Sequence, residues 1–107
     1  MSNNHLNNYK TTGKINLKKI EENINQLKVI VHPVRYAIIV LIMVNKRMNV
    51  TEIYNELSIS QTVASGHLKL LSVNDFLCVE KVGKNSYYTL NYKTIKKMTE
   101  AMRPAIN

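Results

Sequence analysis

Leu17, Ile20, Ile24, Leu27 and Val31 stand three or four residues apart, the spacing of one helix face, and predict an amphipathic helix over about 16–30. His32-Pro33 ends it, because proline is excluded from a helix interior yet fits the first turn of the next helix. From about 34 to 45 nearly every position is apolar: Val34, Ala37, Ile38, Ile39, Val40, Leu41, Ile42, Met43, Val44. That pattern predicts a helix buried on several sides, the central rod of the core. Its β-branched residues also fit a buried strand pair; the length without a turn signal favours helix. So much apolar surface in a short chain further points to burial against a second copy.

Asn45-Lys46-Arg47-Met48-Asn49 is a basic turn. A short helix follows to Leu57, with Thr51 as the expected cap and Val50, Ile53, Tyr54 and Leu57 facing inward. Ser58-Ile59 is a very short connection to Ser60, a good N-cap, and to a helix reaching Leu71. Ala64, His67 or Leu68, and Leu71 mark its inner side. Gln61, Thr62, Ser65, Gly66 and Lys69 occupy the other side: small or hydrogen-bonding groups, one cation, no anion. A major-groove helix needs such a face, because it must approach closely, bond to base edges and not repel phosphate. An ordinary solvated face has the same composition, so the neighbouring elements must decide. Two short helices joined by so tight a turn form a helix-turn-helix.

After Leu71 the period changes to that of strands. Phe76–Val82 and Asn85–Leu90 flank Gly83-Lys84 and predict a two-stranded hairpin, with Leu77 and Val79 on one side and Cys78 and Glu80 on the other. Such a hairpin behind a helix-turn-helix is a wing, and Lys81 and Lys84 bring positive charge to its tip, for phosphate or simply for solubility. Tyr92 to Arg103 carries Ile95, Met98 and Met102 on one stripe and is ended by Pro104. The fold class expected is mainly α with a small hairpin, a winged helix-turn-helix over 15–104 paired with a second copy through its first and last helices. Residues 1–14, with four asparagines and few apolar anchors, form an expected flexible arm.

Composition narrows the function. The 107 residues carry a formal charge of +8, which favours an acidic partner, nucleic acid before an anionic membrane. The single cysteine, Cys78, excludes an intrachain disulfide and the zinc frameworks that need two or four cysteines. Between apolar neighbours it reads as inert filler more than as a sensor. The start is polar, with no signal peptide, and the longest apolar run, Tyr36 to Val44, is far short of the ~20 residues of a membrane span. A cytoplasmic location is therefore expected. No nucleophile–base set, glycine-rich phosphate loop or paired acids appear, so no enzyme and no catalytic residue is expected.

These elements and residues together resemble the ArsR/SmtB family of winged-helix repressors. His32-Pro33-Val34-Arg35 is similar to the family's (D/H)-P-x-R opening of the second helix. The stretch Leu57 to Leu71 is similar to its L-x-(L/I)-S-Q-x-x-(V/A)-S-x-H-L-x-x-L signature, and Val82-Gly83-Lys84 with Tyr87-Tyr88-Thr89-Leu90 to its wing. The resemblance covers about 17–103 and implies a homodimeric, sequence-specific transcriptional repressor on a palindromic operator of double-stranded DNA. By analogy Gln61, Thr62 and Ser65 meet bases or nearby phosphates, and Lys69, Lys81 and Lys84 meet phosphate. His67 either joins them or is a partly buried structural residue. A protein-interaction module without DNA reading, or a MarR-like DNA binder, are the alternatives.

The chain departs from the family in four places. Gly66 costs a helix about 1 kcal/mol relative to alanine, which implies a close neighbour, DNA backbone or packed side chain. Asn74-Asp75-Phe76 replaces the usual A-G-(L/I), and places an anion near the expected DNA surface. The third-helix Cys-x-Cys metal site falls on Met48–Ile53, which has no thiol. The last-helix ligand positions fall on Tyr92, Thr94 and Ala105. No metal, cofactor or family effector site is expected, and the effector is not identified.

Overall fold

The computed structural model describes residues 15–102. The expected arm over 1–14 and the helix stop at Arg103-Pro104 lie outside them. Five helices and three strands follow in the order α1 (Leu17–Ile30), α2 (Pro33–Asn45), β1 (Met48–Asn49), α3 (Val50–Leu57), α4 (Gln61–Val73), β2 (Leu77–Val82), β3 (Asn85–Leu90) and α5 (Tyr92–Met102). The helix periods and the hairpin fall where the apolar pattern puts them, and the architecture is a winged helix-turn-helix.

Each helix start has a chemical cause. Asn16 caps α1, its side chain accepting from the Lys19 N–H at 3.0 Å. His32 caps α2, its Nδ1 accepting from the Val34 N–H at 3.1 Å, with Pro33 in the first turn. The cap of α3 is Asn49, not Thr51. Its Oδ1 accepts from the Glu52 N–H at 2.8 Å while Glu52 accepts from the Asn49 N–H at 2.9 Å, so two otherwise orphaned donors are satisfied reciprocally. Thr51 already lies inside the helix.

The sheet has three strands, in the order β1-β3-β2, where two were expected. Part of the basic turn is strand: Met48 pairs with Tyr88 and Asn49 with Tyr87. Leu77↔Leu90 through Val82↔Asn85 set the hairpin register. The core joins Ile38, Ile39 and Ile42 of α2 to Met48, Ile53, Leu68, Leu71, Phe76, Leu77, Leu90 and Met98.

Helix α2 is central but not buried all round. Tyr36, Val40, Met43 and Val44 are exposed, Val44 by 71%. A domain of this size has too few elements to cover every side of one helix. Helix α1 has no buried residue, and Ile20 and Ile24 on it are 40% and 47% exposed. Cys78 is exposed, on the side of β2 opposite Leu77 where the strand alternation puts it. Leu77 takes the inner face of β2, so its neighbour Cys78 takes the outer one.

Asp75 has φ +64°, in the left-handed region that favours glycine. The glycine of the family pattern at this position thus has a backbone reason, and aspartate tolerates the conformation at a cost. Asp75→Gly is expected to stabilise the fold by about 0.5–1 kcal/mol, read as a higher urea midpoint at unchanged slope. A lower midpoint would show that the carboxylate contributes more than the strain costs.

Candidate nucleic-acid interface

The turn between α3 and α4 is built by its own backbone. Ser58 closes α3 in the left-handed region at φ +54°, and its N–H donates to the carbonyls of Tyr54 and Asn55. The Ile59 N–H donates to the Tyr54 carbonyl at 3.1 Å. Ser60 then starts α4, its Oγ accepting from the Val63 N–H at 3.1 Å. Its side chain is occupied as a cap.

Ala64, Leu68 and Leu71 are fully buried and seat α4 on the core. With that face fixed, the helical period turns Gln61, Thr62, Ser65, Gly66 and Lys69 outward, and all five are exposed. The face carries one cation and no anion. A Cβ at Gly66 would meet nothing within 4 Å, so no packed neighbour explains the glycine. The surface is simply left flat there.

His67 lies elsewhere. It is half-buried, with Nδ1 3.3 Å from Nη1 of Arg35 on α2 and its ring 4.7 Å from that of His32. Burial, followed by the nearby His32 and Arg35, holds its pKa below the ordinary imidazole value. The structure therefore brings Gln61, Thr62, Ser65 and Lys69 onto one surface and sets His67 against α2.

The wing projects Lys81 and Lys84, both exposed. Gly83, at φ +63°, supplies the positive φ of the first central position in the two-residue turn. Arg47 was legible in the chain only as part of a basic turn. Its guanidinium sits 4.0 Å over the Tyr87 ring and donates to Glu80 Oε1 at 3.1 Å. With both partners largely exposed, such a pair adds at most about 1 kcal/mol. It holds the one wing carboxylate on the sheet face carrying Tyr87, while neighbouring Lys81 takes the opposite face.

Asp75 lies past the C-terminal end of α4, beyond the eight residues of helical rise, about 12 Å, from Ser65 to Val73. It lines a polar cleft of about 240 Å³ with Lys19, Glu22 and Gln26 of α1 and Thr94 and Lys97 of α5. Among the described residues no three His, Cys, Asp or Glu side chains are placed to hold a metal ion. At the family's ligand positions, Tyr92 is exposed and Thr94 half-buried, and neither offers a metal-binding donor of the expected kind. No described helix alone is long and apolar enough to cross a membrane.

No family model and no curated protein matches the chain. Solved structures do. The transcriptional regulator HlyU from Vibrio vulnificus CMCP6 is 27% identical, with a TM-score of 0.64 over 87% of this chain and 100% of that one. The transcriptional repressor PagR of Bacillus anthracis is 25% identical, with a TM-score of 0.65 over 82% and 100% of the two chains. An ArsR family transcriptional regulator, RHA00566, shares the fold at 16% identity, with a TM-score of 0.65 over 76% of this chain and 82% of that one. The Leu57–Leu71 signature lies on the helix pair of this shared fold, and the chain is similar to winged helix-turn-helix transcriptional regulators of the ArsR/SmtB type.

Proposed function

We propose that the chain is a sequence-specific DNA-binding transcriptional regulator, a homodimeric repressor of a palindromic operator. The observation that carries this reading is the exposed face of α4, where Gln61, Thr62, Ser65 and Lys69 surround an uncrowded Gly66 without an anion among them. In a major groove, Gln61 offers a paired donor and acceptor to an adenine edge, and the Thr62 and Ser65 hydroxyls reach bases or phosphates. Lys69, Lys81 and Lys84 neutralise phosphate on either side. The likeness to HlyU and PagR, described as a transcriptional regulator and a transcriptional repressor, supports the same reading.

Homodimerisation is supported by α1, a helix with no buried residue and two exposed isoleucines, packed beside α5. Two-fold pairing there would present two α4 helices to half-sites about 34 Å apart, or a multiple of it. Action on DNA also gives the cytoplasm as the place of work.

Gly66→Ala separates stability from reading. Alanine adds helix propensity at a position with room for it, so the variant is expected to gain up to about 1 kcal/mol of stability. The added methyl group stands on the groove side, so duplex affinity is expected to fall. Chemical melts and binding isotherms on one preparation check both; unchanged affinity would place Gly66 off the DNA.

The function itself is tested by incubating the purified protein with a pool of random-sequence duplexes and sequencing what it retains. An enriched two-fold symmetric motif is expected. Its affinity should fall steeply with salt, and Lys84→Ala should weaken all duplexes alike and lower the salt slope by about 1. Retention of no duplex at low salt would contradict the proposal.

A further inference from the structure

Arg35 and His67 are 32 residues apart in sequence and meet in the fold. The Arg35 Nε–H donates to the carbonyl of Val29, in the last turn of α1. Its Nη1 reaches Nδ1 of His67, on α4, at 3.3 Å. One planar side chain on α2 therefore ties the end of α1 to α4. A guanidinium has only donors, so His67 Nδ1 is an unprotonated acceptor and its ring proton is on Nε2. The neighbouring His32 ring, tilted by 45°, likewise accepts through Nδ1, from the Val34 N–H.

Protonating His67 would put an N–H where the Arg35 N–H already points. It would also add a cation beside the guanidinium. The titratable and charged groups acting on the ring are His32, at the α2 cap, and Arg35, within α2; no carboxylate is among them. On α4 itself Lys69 lies on the exposed face, and α1 takes part through the Val29 carbonyl that Arg35 holds.

We propose that Arg35 is a positioning residue for α4: through neutral His67 it sets the angle between that helix and α1, and protonation of His67 releases the hold and weakens duplex binding. The effect on binding rests on the reading of α4 as the DNA-contacting helix. The hold itself does not. Because the folded state keeps His67 below its ordinary pKa, the contribution is complete above about pH 6.5 and is lost as pH falls through the lowered folded value.

Two measurements on the full chain test it. Imidazole NMR should show His67 with its proton on Nε2 and titrating below the ordinary value; in Arg35→Met it should titrate higher. An unchanged His67 titration in that variant overturns the hold. The second uses a duplex enriched by the wild type from a random pool, with affinity compared at pH 7.5 and 5.5. The wild type should lose affinity several-fold on acidification. His67→Asn keeps an acceptor for Arg35 at the place of Nδ1 but cannot titrate, and should hold its pH 7.5 affinity and lose that dependence. The same pH profile in His67→Asn and wild type, or wild-type affinity in folded Arg35→Met, overturns the effect on binding. If the wild type enriches no duplex, the DNA reading fails, and the NMR titration still decides the role of Arg35.

Discussion

Phe76→Ala is expected to destabilise the fold by about 3–5 kcal/mol, enough to remove most of the stability of a domain this small. Phe76 is fully buried, in the core cluster that joins α2, α3, α4, the sheet and α5. Its backbone is equally committed. The Phe76 N–H donates to the Leu71 carbonyl at 2.9 Å, and its carbonyl accepts from the Asn91 N–H at 2.9 Å, so one residue fastens the end of α4 to the wing and the start of α5. Truncation leaves a cavity in that core beside the junction of α4 and the hairpin. Urea melts should show a much lower midpoint, with DNA affinity lost at temperatures where the wild type is still folded. A loss below about 1 kcal/mol would mean that the neighbours collapse into the space, and that the junction is less rigid than its packing suggests.

The other large effect concerns discrimination. Gln61→Ala is expected to leave the melting curve within about 0.5 kcal/mol of wild type, since the side chain is exposed and makes no cap. The reading of α4 predicts a different outcome on DNA. A glutamine amide bonded to a base edge contributes about 1–3 kcal/mol of discrimination. The variant should therefore lose roughly ten- to a hundredfold of its preference for an enriched duplex over a scrambled one. Binding to the scrambled duplex, which depends on phosphate contacts, should change little. Competition isotherms with both duplexes measure the ratio directly. An equal loss on both would assign Gln61 to the backbone and not to the bases.

Much of this arrangement is visible in the chain before folding, because helix and strand periods differ and each element is long enough to show one. The inner face of α4 follows from Ala64, Leu68 and Leu71, and the outer face is what remains. Where the chain is uninformative, the cause is specific. Met48 and Asn49 are too few to show an alternation, and they become a strand only by pairing with Tyr88 and Tyr87. Asn49 did carry a signal, since Glu52 three residues later completes a capping box. The alternation already sets Cys78 opposite Leu77; that this side of the strand lies open to solvent depends on which elements cover the sheet, which no local period shows. The Arg35–His67 contact and the Arg47–Glu80 pair join distant segments that no local period connects. Asp75 shows its role only through its backbone, in a conformation that the resembled family meets with glycine.

If the chain binds DNA as proposed, the outer face of α4 and the wing are the surface that meets it. Backbone amide NMR of the labelled protein, titrated with a duplex enriched from a random pool, tests this most directly. Shifts should concentrate at residues 61–69 and around Lys81 and Lys84, with α1 and α5 affected weakly. Shifts confined to α1 and α5, or none at any duplex concentration, would contradict it.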